Sequence, residues 1–180
     1  MQKYILILFL TVSSQLASAQ GKFKLAGSEV NFFSSAPLEH ISAINKNAIG
    51  VIDFDKKEFL IRVPIKGFVF SKSLMQEHFN ENYMESDTYP SGILKGSFTG
   101  DVNLKKDGEY ELEAVGDLEL HGKVDKRTIP VTLIVKKGKA SIRSAFNVKL
   151  VDHDIEIPQV VSRNIAEEIV VKINSDLVGI

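Results

Sequence analysis

GSFTGDVNLKKDGEYELEAVGDLELH, residues 96–121, is the stretch whose reading decides the fold. Phe98, Gly100, Val102 and Leu104 share one parity, while Thr99, Asp101, Asn103 and Lys105 hold the other. Lys106-Asp107-Gly108 interrupts the alternation and reads as a turn, since Asp-Gly tolerates positive φ. Beyond it Tyr110, Leu112, Ala114, Gly116, Leu118 and Leu120 fall on one face. Glu109, Glu111, Glu113, Asp117 and Glu119 fall on the other. Successive side chains of a strand point to opposite faces, so this is a half-buried antiparallel hairpin with an apolar side and an acidic, wet side.

The same period extends outward in both directions. Residues 51–54 turn through Asp55-Lys56-Lys57 into Phe59, Ile61, Val63 and Ile65. Ile129, Val131, Leu133 and Val135 turn through Lys137-Gly138 into Ile142, Phe146, Val148 and Leu150. Residues 28–34 form an early strand and 168–174 a last one. The total is eight or nine long consecutive strands, an all-β meander that favours an up-and-down barrel or a sandwich. The hairpins follow no fixed sequence period, which excludes a repeat array.

One segment departs from the alternation. Ser73 and Gln76 have capping-box spacing, and Leu74, Met75, His78, Phe79 and Tyr83 fall at helical spacing. Pro90 bars continuation. The expectation is a short helix of about three turns over residues 73–83. Such a helix serves either as a packed connector or as a lid at a barrel end.

At the N-terminus, Met1-Gln2-Lys3 is followed by an apolar run over residues 4–10 and by Ala17-Ser18-Ala19. This order reads as a secretory signal peptide cut after Ala19, with export to the periplasm or beyond. The run is far shorter than the ~20 residues of a spanning helix, so no stable membrane anchor is expected. The remaining residues, 20–180, suit one domain able to bury a core without staples. Cysteine is absent, which removes disulfides, thiol chemistry and a lipidated N-terminal cysteine. A net charge of −1 with scattered basic residues gives no field for nucleic acid.

Chemistry-bearing constellations are sparse. His40, His78, His121 and His153 lack the short ligand spacings of zinc sites, so no metal is expected. Asp152-His153-Asp154-Ile155-Glu156 is the richest polar cluster. It reads either as a proton-handling or cation site or, more plainly, as one solvated strand face carrying Asp152, Asp154 and Glu156. No nucleophile elbow, P-loop or dinucleotide fingerprint occurs. Neither a catalytic residue nor a cofactor is therefore assigned. What remains is the inward face. Gly100, Ala114, Gly116 and Ser144 share its parity with large residues and either leave room for a ligand or mark bends. Met75, Phe79, Tyr83, Phe98, Val102, Leu112, Ala114, Leu118, Ser144, Phe146 and Val148 are the candidate cavity residues.

Two stretches resemble the YceI-like family. One runs over residues 73–79, SLMQEHF, followed by Tyr83-Met84-Glu85-Ser86 and Tyr89-Pro90. The other is Gly116-Asp117-Leu118-Glu119-Leu120-His121-Gly122 with Lys126, Ile129, Pro130 and Val131. The resemblance follows strand order across nearly the whole chain after the leader. It implies an extended eight-stranded antiparallel lipocalin-like barrel that binds a polyisoprenoid or fatty-acyl lipid. Two places depart from the family pattern: residues 152–158, and the opening strand at Gly27-Ser28-Glu29-Val30-Asn31-Phe32.

Three functions stay open at this point. The first is an exported, non-enzymatic protein holding a polyisoprenoid or other long-chain amphiphile for carriage or storage, as a monomer or homodimer. The second is a hydrolase or isomerase acting on a lipid-like substrate through residues 152–156. The third is a filled barrel that works through its surface as an interaction or stress-response protein.

Overall fold

The computed structural model describes residues 21–180; the leader and its cleavage site after Ala19 lie outside the described residues. Ten strands and one short helix follow in order. They are β1 (Lys22–Ser35), β2 (His40–Asn45), β3 (Ile49–Asp53), β4 (Glu58–Pro64), β5 (Phe68–Phe70), α1 (Ser73–His78), β6 (Ser91–Thr99), β7 (Gly108–Leu120), β8 (Lys123–Lys136), β9 (Lys139–Lys149) and β10 (Glu168–Gly179).

Every pairing is antiparallel, and β10 returns to β1 along the register Phe23↔Gly179 to Phe33↔Val170. The closed ring is β1-β3-β4-β6-β7-β8-β9-β10, eight strands. The expected barrel is therefore present, and closure leaves the ring itself without an edge. The alternation along β7 becomes real burial, with Leu112, Ala114 and Leu118 inside and the acidic residues out. The Lys137-Gly138 turn forms as expected, with both residues at positive φ.

β2 and β5 extend beyond the ring as a flange. β1 pairs with β3 through Lys22, Phe23 and Lys24, then with β2 from Val30 onward. A bulge between Ala26 and Glu29 separates the two halves, and Gly27 supplies its φ of 57°. β2 and β3 are thus one path broken at residues 46–48, and β4 and β5 one path broken at Ile65–Gly67. Asn45 buckles the two breaks together. It is fully buried, donates to the Pro64 carbonyl at 2.7 Å and accepts from the Asn47 amide at 2.8 Å. With its amide satisfied, burying this polar side chain incurs no unpaired-group penalty. The break turns β5 away from β6 and leaves one end of the barrel open, with α1 packed beside β5.

Three expectations are corrected. The strand beginning at Gly96 ends at Thr99, not Lys105, because Gly100 takes φ 119° and residues 100–107 fold into a loop at the base. The capping box does not form: Lys72 is the cap residue and Gln76 Oε1 instead accepts from the Phe70 amide at 3.2 Å. Residues 152–156 are not a strand. Leu150–His153 is a 3-10 turn and Asp154 sits at φ 52°, which ends the ladder. The solvated character of Asp152, Asp154 and Glu156 nevertheless holds, while His153 and Ile155 are buried.

The helical segment does run to Tyr83, but only Ser73–His78 is α-helical. Phe79–Tyr83 is a π turn in which the Asn80 side chain takes the Gln76 carbonyl at 2.8 Å. A side chain competing for a ladder carbonyl is a recognised way to open a helix into this wider turn.

Candidate functional site: an apolar channel with a polar rim

Three connected apolar chambers run through the barrel. The base chamber, about 50 Å³, is lined by Phe98, Leu112, Ala114, Ile142 and Ser144 among others. The middle chamber, about 100 Å³, shares Ile61, Leu94 and Ile173 with the base and adds Leu118, Phe146 and Val148. The mouth chamber, about 430 Å³, shares Phe32, Phe79, Met84, Leu120 and Ile169 with the middle. β9 follows the channel from Ile142 to Val148, about 20 Å at ~3.4 Å per residue, or ~15 Å along the axis at ~40° tilt. One leaflet of a ~30 Å hydrocarbon core is about that deep. The two inner chambers match a single tail in length before the mouth is counted.

Each expected cavity residue has a definite place. Phe98, Leu112, Ala114 and Ser144 line the base, and Leu118, Phe146 and Val148 the middle. Met75, Phe79 and Tyr83 line the mouth. Val102 does not join them; it packs under the barrel in the 100–107 loop, facing an outer cleft with Phe23 and Leu104. The small residues divide similarly. Gly96 and Gly116 are cross-strand partners, and a Cβ on either would lie 2.2 Å from the other strand's backbone. A Cβ at Gly100 would lie 2.6 Å from Leu112. Those glycines serve close approach, whereas Ala114 and Ser144 leave the base chamber open. Ser144 satisfies its hydroxyl by donating it to the Pro130 carbonyl at 2.7 Å.

Four phenylalanines form the neck between mouth and middle. Phe79 stacks on Phe32 at 5.4 Å and meets Phe70 at 5.0 Å and Phe68 at 5.6 Å. Phe79 comes from the π turn, so the helical segment over residues 73–83 carries the side chain that sets the width of the neck. Phe32, Phe68 and Phe70 were not anticipated. The alternation of Phe68 and Phe70 is visible, but β5 is three residues long and carries too little periodicity to orient.

The far wall of the mouth is the 150–167 connection, also unanticipated, which contributes Leu150, Ile155, Val161, Asn164 and Ile165. Its C-terminal part is tied to the β1–β2 corner. Leu38 N donates to the Arg163 carbonyl at 2.9 Å, and Ala166 N to the buried Ser34 hydroxyl at 2.9 Å. Below, His153 is 0% exposed, with Nδ1 3.4 Å from the Lys123 carbonyl. Burial holds its imidazole below the ordinary range, assisted by Arg127 and opposed by the Lys123 and Leu120 carbonyls and Asp125. His121 links the turn at Glu85 to the 3-10 turn that ends at His153. Its Nδ1 lies 3.0 Å from the His153 carbonyl and its Nε2 2.9 Å from Glu85.

Charged side chains line these chambers only at the rim. Lys72 Nζ donates to Glu39 Oε1 at 3.0 Å and Asn164 Nδ2 to Glu39 Oε2 at 3.5 Å, with His78 on the same wall. Burial pushes the Tyr83 phenol above its ordinary range, leaving it a neutral donor. Asp152 and Asp154 lie outside the channel, paired with Arg127 at 3.4 Å and Lys123 at 2.7 Å. Neither reaches the interior where a lipid-like substrate would lie. Among the described residues no group of three or more His, Asp or Glu side chains converges as a metal site. No helix among them is long and apolar enough to cross a membrane.

Similar folds occur in solved structures. A polyisoprenoid binding domain from Saccharophagus degradans is 14% identical over 88% of this chain and 98% of its own, with a TM-score of 0.73. BcnA of Burkholderia cenocepacia is 15% identical over 83% and 95%, with a TM-score of 0.71. A Campylobacter jejuni YceI protein is 16% identical over 73% and 81%, with a TM-score of 0.59. No curated protein matches the sequence. The model of the YceI-like domain matches residues 10–177, nearly the full length. This chain belongs to the YceI-like family.

Proposed function

We propose that this barrel is an exported binding protein that holds one polyisoprenoid or comparable long-chain amphiphile, tail in the channel and head at the rim, for carriage or storage. The observation that carries this reading is the polarity of the channel. Apart from the Ser144 hydroxyl, both inner chambers are lined by apolar side chains, and the charged side chains lining the three chambers, Glu39 and Lys72, stand at the mouth. A filled core would need no such end-to-end asymmetry. A tail burying about 400 Å² of apolar surface would gain ~10 kcal/mol before association and ordering costs are subtracted.

The similarity to a polyisoprenoid binding domain supports the choice of ligand class. The leader-like residues 1–19 support export. A non-enzymatic role agrees with Asp152 and Asp154 standing outside the channel in ion pairs. Native mass spectrometry of protein purified from its producing cell without detergent tests the proposal. One lipid mass per chain is expected. A clean ligand-free mass that takes up no added prenyl or acyl chain would refute it and favour a barrel acting through its surface.

A further inference from the structure

Three separate segments meet at the rim through one carboxylate. Glu39 ends the turn between β1 and β2, Lys72 precedes α1, and Asn164 lies in the 150–167 connection. Both Glu39 oxygens are engaged, one by Lys72 and one by Asn164. The Glu39 side chain is 28% exposed and that of Lys72 66%, so the pair stands where the chamber meets water. Among the residues lining the mouth, Lys72 supplies the ammonium and Glu39 the carboxylate, and their formal charges cancel. Lys66 is engaged by Asp87 away from this chamber, and Arg163 is exposed without lining it.

We propose that the Glu39–Lys72 pair makes this rim selective for amphiphiles with an uncharged, hydroxyl- or carbonyl-bearing head over those with a diphosphate head. The proposal rests on the carrier reading above and names the ligand class within it. Among the lining residues only Lys72 offers a diphosphate an ammonium, and that ammonium is already shared with Glu39. A diphosphate bound there competes for it and lies beside the Glu39 carboxylate, a second anion. Like charges at a partly desolvated rim repel. A neutral head makes no such demand. It can exchange hydrogen bonds with the Asn164 amide, the His78 ring and the Tyr83 phenol while the pair stays closed. Specificity here comes from a repulsive group set against the wrong ligand.

The test compares geranylgeraniol with geranylgeranyl diphosphate, identical in tail, by displacement of a dansylated fatty-acyl probe. The chain contains no tryptophan, so the probe signal has no indole background. Wild type should bind the alcohol about 3- to 5-fold more tightly, the scale of an exposed ion pair. Glu39→Gln should shift the diphosphate-to-alcohol affinity ratio by about the same factor toward the diphosphate, and Lys72→Gln should shift it the opposite way. Melting temperatures of both variants show whether the fold is retained. Equal or tighter diphosphate binding by wild type, or a ratio unmoved by both substitutions, overturns this inference and leaves the carrier reading standing. Uptake of neither ligand by wild type overturns both.

Discussion

Replacing Ala114 with Phe separates a ligand channel from a filled core, because the two predict opposite results. Ala114 faces the base chamber between Phe98 on β6 and Ile129 on β8 and is 5% exposed. That chamber holds about 50 Å³. At ~24 cal/mol per Å³ of apolar void, filling it recovers about 1 kcal/mol. If the side chains were instead fully interdigitated, the added ring would cost ~1–3 kcal/mol. The channel reading therefore expects Ala114→Phe to melt close to the wild-type temperature. Its effect should fall on the ligand. Excluding the roughly two tail carbons that the chamber holds, at ~0.8 kcal/mol per CH₂, weakens a long chain by ~1.6 kcal/mol, about 15-fold. A short chain that never reaches the base should bind as before. The assay is thermal melting of the ligand-free protein beside probe displacement by a C10 and a C20 prenyl alcohol. A markedly lowered melting temperature, with the wild type indifferent to chain length, would mean that the barrel is filled.

Further outcomes follow from other parts of the structure. Ser144→Leu also fills the base chamber but removes the hydroxyl bond to Pro130, so it should weaken long-chain uptake in the same way with a melting temperature below that of Ala114→Phe. His153 is buried with its pKa depressed below the unfolded value of 6.5. The native state then binds fewer protons than the unfolded chain, and the stability this contributes is complete above that value and lost as pH falls through it. Thermal melts between about pH 5 and 7 should show this slope, and His153→Gln should flatten it. N-terminal sequencing of the exported protein should begin at Gln20, with an intact Met1 on a membrane-embedded product contradicting the export reading. Elemental mass spectrometry should find far less than one equivalent of zinc, and a chelator should leave the melting temperature unmoved.

The sequence foretold this structure where one period decides the outcome. The Glu/Leu alternation of β7 orients itself, and its neighbours β6, β8 and β9 inherit their inward parity from the turns that join them. The deeper part of the channel was legible for that reason, since Phe98, Leu112, Phe146 and Val148 lie on long, regular strands. Val102 was misplaced because parity continues on paper past Gly100, while the backbone there turns at φ 119°. The flange was hidden because it depends on Asn45 meeting Pro64, a contact with no local pattern. The mouth was harder still. Glu39, Lys72 and Asn164 come together across separations of 33 and 125 residues. Polar residues in loops announce neither partner nor direction. The helical segment was recognised from its spacing, but its cap was not, because where β5 ends decides which residue stands first.

In the proposed carrier the tail of a lipid lies along the barrel axis with its end in the base chamber. A crystal structure with a fatty chain carrying a bromine at its terminal carbon tests this most directly, since anomalous scattering locates that one atom. A single bromine peak is expected among Phe98, Leu112, Ala114 and Ile142, with the head beside Lys72 and Asn164. A peak on the outer surface of the sheet, or at the mouth with the base chamber unoccupied, would contradict it.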